Sequence, residues 1–238
     1  MRLWKVVAVL VVLSLLAVGG WLTVHLADWF SMPELDTSLL TDDPCVAPCW
    51  QNIIPGVTTE QEARSLLKGS PFVRKDSLDY AIANWKSGGE GYDWFVWNGR
   101  SKKYRNALYL REGKTVLIQL HVDYTLTAGQ VANKFGPPER VYAKLTGGGV
   151  LIAYLDYPAQ GLRFTADWSP RDHTELNMAV SGIALLTEDR EIVEVAYFAP
   201  GPLEEVLQNP YLNAPVEVEE YLKRVQEWEG FGYIPCYQ

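Results

Sequence analysis

The chain has 238 residues, 48% of them hydrophobic, which is material for one sizeable domain or two small ones with real cores. Its 21 Lys and Arg stand against 29 Asp and Glu, a formal net charge of −8, and a surface of that sign repels phosphate backbones, which excludes a nucleic-acid partner. The 9 Trp and 13 Tyr serve cores and stacking contact surfaces alike.

From Val6 to Leu26 the sequence is almost continuously apolar and uncharged. At ~1.5 Å per residue, a helix over that run matches a hydrocarbon layer of ~30 Å. Arg2 and Lys5 precede it, Asp28 follows, and Trp4, Trp29 and Phe30 flank it, so the positive-inside bias puts the N-terminus in the cytoplasm and the rest outside the cytoplasmic membrane. The competing reading is a cleaved signal peptide, but Val18-Gly19-Gly20 is a poor cleavage site and apolar residues continue beyond it. The expectation is a single-pass transmembrane signal anchor over 1–30. No Cys directly follows it to carry a lipid. The polar, acidic residues 31–43, with Pro33, read as a linker.

Pro44-Cys45-Val46-Ala47-Pro48-Cys49-Trp50 comes next, and the third cysteine is Cys236. In an oxidising compartment three pairings are open; Cys45 with Cys49 is preferred, while a Cys49–Cys236 bridge would close a far longer loop. No His lies at metal-site spacing from these cysteines, and no metal or cofactor is expected.

Thr59-Glu60-Gln61-Glu62-Ala63 opens a helix, because a Thr three residues before a Glu can cap the third helical N–H while the carboxylate reaches back. Ala63 and Leu67 share one face, and Gly69 with Pro71 stops the helix. Tyr80 to Lys86, Tyr92 to Trp97, Asn106 to Arg111 and Thr115 to Val122 come after it as strands, separated by Gly-rich and Asn-Gly turns. The capping pattern then recurs as Thr127-Ala128-Gly129-Gln130-Val131, running to Phe135 and stopped by Gly136-Pro137-Pro138. Val150 to Tyr157, Leu162 to Trp168, Met178 to Leu186 and Glu191 to Phe198 read as its strands. From Pro202 the tail is helical, with Val218, Tyr221, Leu222, Val225 and Trp228 on one face and Gly230 and Gly232 at its end. The recurrence predicts a duplicated unit of roughly 70 residues.

The expected fold is therefore α+β: an N-terminal transmembrane helix, two tandem helix-plus-antiparallel-sheet units over 44–123 and 124–200 forming one curved sheet, and a C-terminal helical tail over 201–238. The Gly56-Val57-Thr58-Thr59 and Thr127 helix motifs with their Gly-Pro exits resemble those of the BamE/SmpA-type small envelope lipoproteins, and their tandem arrangement resembles the β-lactamase inhibitor protein. The Pro-Cys entrance also resembles membrane-anchored bacterial envelope proteins. These resemblances imply a curved sheet that grips another protein. They carry no catalytic residue across.

Chemistry has few places to reside. The loop Ser169-Pro170-Arg171-Asp172-His173-Thr174-Glu175 gathers acid, base and hydroxyl groups and is the one candidate for a hydrolase, though polar side chains are expected on any hairpin connection. Nucleophile-elbow, zincin, phosphate-loop and EF-hand patterns are absent. Trp94, Trp97, Arg100, Lys102, Lys103 and Tyr104 form an aromatic and basic stretch suited to a glycan or an acidic protein segment. The leading expectation is a binding module, without catalysis, for an envelope protein or peptide. Glycan or cell-wall binding through exposed aromatics is the second.

Overall fold

Thr59 and Thr127 both stand at helix starts in the computed structural model, which describes residues 36–73, 77–83, 89–95, 105–122, 125–209, 212 and 215–237, together with 14, 16 and 20. Thr59 opens α2 (Glu60–Gly69), which comes after a short α1 (Ser38–Thr41); Thr127 opens α3 (Ala128–Phe135). In α2 the Thr59 hydroxyl accepts from the Glu62 N–H at 3.4 Å, and the Glu62 carboxylate accepts from the Thr59 N–H at 2.9 Å. Gln130 plays the same part for Thr127, at 3.3 and 2.9 Å.

Each start is also tied to a strand start. Thr115 donates to the Thr58 carbonyl and Glu60 to that of Gly113, both at 2.9 Å. In the second copy Ile192 donates to Leu126 at 2.7 Å and Ala128 to Arg190 at 2.9 Å. The strands so fastened are β4 (Lys114–His121) and β9 (Ile192–Phe198), and they pair with each other antiparallel, Gln119 opposite Ala196.

The other strands are β1 (Asp79–Ala83), β2 (Gly89–Phe95), β3 (Arg105–Arg111), β5 (Arg140–Leu145), β6 (Leu151–Tyr157), β7 (Leu162–Trp168), β8 (Ile183–Leu186), β10 (Gln226–Glu227) and β11 (Gly232–Tyr237). They form one 11-stranded sheet in the order β1-β2-β3-β4-β9-β7-β6-β5-β11-β8, with β10 beside β5. β11 runs parallel to β5 and the other pairings are antiparallel, so the sheet is mixed. Among the described residues the further α-helices are α4 (His173–Val180), α5 (Leu203–Leu207) and α6 (Pro215–Arg224), with a short 3-10 turn at Pro158–Gln160.

This corrects the two-unit expectation. The helix starts recur, but the elements after them differ: α2 leads into four successive strands, whereas α3 leads into three, then α4, β8 and β9. The tail is not purely helical either, since its helix ends at Arg224 and Gly232–Tyr237 inserts as a strand between β5 and β8. Apolar alternation marks a segment as a strand without naming its partner, so the unequal make-up of the two halves and the entry of β11 between β5 and β8 were invisible in the pattern. Met178 belongs to α4 rather than to a strand, because the Asp172 carboxylate caps a helix there by accepting from the Glu175 N–H at 2.9 Å.

The membrane anchor is also corrected. Among the described residues no helix is long and apolar enough to cross a membrane. Apart from Ser14, Leu16 and Gly20, the Val6 to Leu26 run on which the single-pass expectation rests lies outside the described residues. Hydropathy over a run tells what would leave water, not whether one long helix forms. Within the expected linker, 36–43 is folded against the domain: Leu39 is buried, and Lys134 donates to the Leu40 carbonyl at 3.0 Å.

One face of the sheet carries the main core. Ile118, Val195, Phe164 and Leu155 meet Ala63 and Leu67 of α2, Val131 of α3, and Trp50 and Ile53 of the preceding segment. Each such side chain contributes ~1.5–3 kcal/mol by leaving water. Trp50 stacks on Trp94 with centroids 5.6 Å apart, and its indole donates to Asp36 at 2.7 Å.

Thr127→Ala removes a helix cap and should lower stability by about 1 kcal/mol. In a chain of this size that is a fall in Tm of about 2–4 °C, readable by calorimetry.

Candidate functional site

Side chains alternate across a strand, so the residues between those of the main core face the other way. Read from strand to strand, one row on this second face is Asp93, Ala107, Gln119, Ala196, Arg163, Asp156 and Arg140. The neighbouring row is His121, Glu194, Thr165, Tyr154 and Tyr142. The C-terminal segment covers part of this face. Val206 of α5 packs on Tyr109, Leu117, Ala196 and Phe198, while Leu203 and Leu207 of α5 and Tyr221 of α6 pack on Tyr142.

Beneath α6 lies a buried polar group. Arg163 Nε donates to Asp156 Oδ1 at 2.6 Å, and the Tyr221 hydroxyl donates to Asp156 Oδ2. The guanidinium lies against two neighbouring rings, 5.1 Å from the centroid of Tyr154 and 4.8 Å from that of Tyr221. Burial opposes the charge on Arg163, but the Asp156 carboxylate outweighs it and raises the Arg163 pKa. Burial and then the Asp156 charge push the Tyr221 phenol well above its ordinary range, so it stays protonated and donates. This arrangement fastens α6 to the sheet.

The strip left between the covers is polar. His121 Nε2 lies 3.9 Å from Glu194 Oε2, and their side chains are 17% and 20% exposed. Burial lowers the His121 pKa. Burial also raises that of Glu194, against a hydrogen bond from Gln119 and the charge of Arg163. Asp167, an exposed neighbour two residues along β7, is raised by burial and by the charge of Glu191. Clustering of groups held away from their ordinary ionisation marks a candidate functional surface. A cavity of 260 Å³ opens where α5 meets the end of β9, lined by Val116, Phe198, Ala199, Pro200, Glu205 and Val206 among others.

The sequence candidates are placed differently. Trp94 is buried on the core face and stacked on Trp50, so it presents nothing to a ligand. Trp97, Arg100, Lys102, Lys103 and Tyr104 lie outside the described residues. Asp172, His173 and Glu175 do not converge. Asp172 caps α4, His173 is exposed, and Glu175 is buried where it accepts from Trp168 Nε1 at 3.0 Å, from the Arg171 N–H at 2.7 Å and from Arg190. Burial works against the Glu175 charge, yet those donors and the Arg190 guanidinium hold its pKa below the ordinary carboxylate range. Arg190 also lies 4.5 Å over the Trp168 ring, which makes this cluster a clamp for α4. Cys45 and Cys49 are bonded to each other, while Cys236 is a free, buried thiol whose pKa burial raises. No group of three or more His, Cys, Asp or Glu among the described residues is placed to hold a metal ion.

No known protein family, curated protein or solved structure matches this chain. The likeness of its helix motifs to envelope lipoproteins therefore has nothing further behind it, and the site must be argued from its own residues. Asp156, Arg163 and Glu194 were not singled out in the sequence, and Tyr221 was read only as part of the tail helix's apolar face, although a signal was there. A charge flanked by apolar residues inside a strand, as in Leu155-Asp156-Tyr157 and Val193-Glu194-Val195, marks a face that is neither core nor open solvent.

Two outcomes test this surface. Tyr221→Phe leaves one Asp156 oxygen without its donor and should cost about 1–3 kcal/mol, read as a lower urea midpoint. Because the Glu194 pKa is raised in the folded state, stability is full below the unfolded value and is lost as pH rises from there through the folded pKa, above which the cost of ionising Glu194 is complete. Glu194→Gln should therefore raise Tm at pH 8, and the gain should shrink towards pH 4.

Proposed function

We propose that this protein is a binding module, without a catalytic step, that recognises a protein or peptide segment bearing basic side chains on the second face of its sheet. One observation carries the reading. Among the described residues, the core face is closed by α2, α3 and the Trp50 segment, whereas α5 and α6 cover only part of the second face. The strip left over is half-buried and contains Glu194 with Asp167 nearby. A strand face that is neither packed nor fully solvated is the usual setting for recognition, since a partner can finish its desolvation. The net charge of −8 favours a cationic partner and would speed its approach at low salt.

The glycan reading loses Trp94 to the core. The hydrolase reading loses Glu175 to Arg190 and Asp172 to a helix cap.

Panning a random peptide library on the protein tests the proposal. Selected peptides should be rich in Lys and Arg, and Glu194→Lys should weaken their binding at least tenfold. Selection without basic enrichment, or binding indifferent to Glu194→Lys, would overturn it.

A further inference from the structure

We infer that the 260 Å³ cavity between α5 and the end of β9 takes an alkylammonium group, the side chain of a lysine on the bound partner. The inference rests on the proposed peptide-binding reading for its partner, but on separate residues for its site. The cavity falls below the roughly 300–1,000 Å³ of sites for larger ligands and has room for one long side chain.

The walls decide the chemistry. Val116, Phe198, Ala199, Pro200 and Val206 offer apolar surface to a methylene chain, and Glu205 is the charged side chain among the lining residues. Ala199, Pro200 and Glu205 are solvent-exposed, whereas Phe198 and Val206 are buried, so the cavity runs from a wet mouth with a carboxylate to a dry floor. A Cβ built on Gly201 would lie 4.0 Å from Glu205 Oε2 and 3.9 Å from Val206 Cγ2. The carboxylate and the apolar wall are thus presented side by side at one point of the backbone.

A lysine fits such a gradient with its stem on the apolar wall and its ammonium on the carboxylate at the mouth. A purely apolar side chain would leave Glu205 partly desolvated and unpaired, and an acidic one would be repelled by it. The position suits the larger surface as well. Val116 and Phe198 belong to β4 and β9, the two strands that also carry His121 and Glu194. A segment crossing the second face could therefore reach both.

Titration of the full chain with n-butylammonium, monitored through backbone amide resonances, tests the site, with 1-butanol and butyrate as comparisons. Saturable shifts are expected at Gly56, Gly201 and Asn209 in the millimolar range, with 1-butanol and butyrate at least tenfold weaker. Glu205→Gln keeps the volume and removes the charge, and should weaken butylammonium at least tenfold. Gly201→Leu introduces a side chain beside the same wall and should abolish the shifts. Should that variant fail to fold, Glu205→Gln decides alone, because its side chain is exposed.

Shifts absent from these amides, 1-butanol binding as well as butylammonium, or an unchanged affinity in Glu205→Gln would overturn the site. Butylammonium binding together with a peptide selection lacking basic sequences would sink the proposed function and leave the site standing. Selected basic peptides whose binding ignores Glu205→Gln would do the reverse.

Discussion

The antiparallel pairing of β4 with β9 holds the structure together. Five residue pairs from Leu117–Phe198 to His121–Glu194 join what would otherwise be two separate sheets, and each strand is fastened at its start to a capped helix. The pairing puts Ile118 and Leu120 beside Val195 and Tyr197 on the core face. It places Gln119 and His121 beside Ala196 and Glu194 on the other. Slipping the register by one residue would turn the core residues to the second face, so the apolar pattern on both strands enforces the pairing.

The second face owes its character to the C-terminal segment. A sheet of this breadth with helices on one side alone would expose much apolar surface, and Tyr109, Leu117, Phe198 and Tyr142 show that the second face is not intrinsically polar. α5 and α6 cover those residues, including the Tyr154 and Tyr142 end of the row that begins at His121 and Glu194. Tyr221 sets the position of α6, because its hydroxyl completes the shell of a buried carboxylate that already holds an arginine. Charges taken out of water are tolerated only with full pairing, which makes Asp156 and Arg163 a poor source of stability and a strict determinant of where α6 sits.

Two kinds of charged group bear on the second face and its helices. Asp156 with Arg163, and Glu175 with Arg190, are paired and enclosed, and they orient α6 and α4. His121, Glu194, Asp167 and Glu205 lie where solvent still reaches them, along the uncovered strip and at the cavity mouth. Function is argued from the second kind, because only there can an incoming group change the local electrostatics.

The sequence by itself determined what depends on neighbours along the chain. Both capping boxes at Thr59 and Thr127 were legible, as were most strands by their alternation and the Cys45–Cys49 bond by proximity. Partners joined by a hairpin were legible, as β3 with β4 and β6 with β7; the long-range ones were not, since β4 meets β9, and β5 meets β11, through contacts that no local pattern encodes. For that reason two similar helix starts suggested two like units where the elements after them differ, and Tyr233 to Tyr237 passed for the end of a helical tail. Trp94 read as a ligand platform because its stacking partner, Trp50, lies far away in sequence. The candidate site was the least legible part, because its residues come from four separate strands and a helix, and only tertiary packing decided which polar side chains are enclosed and which face solvent.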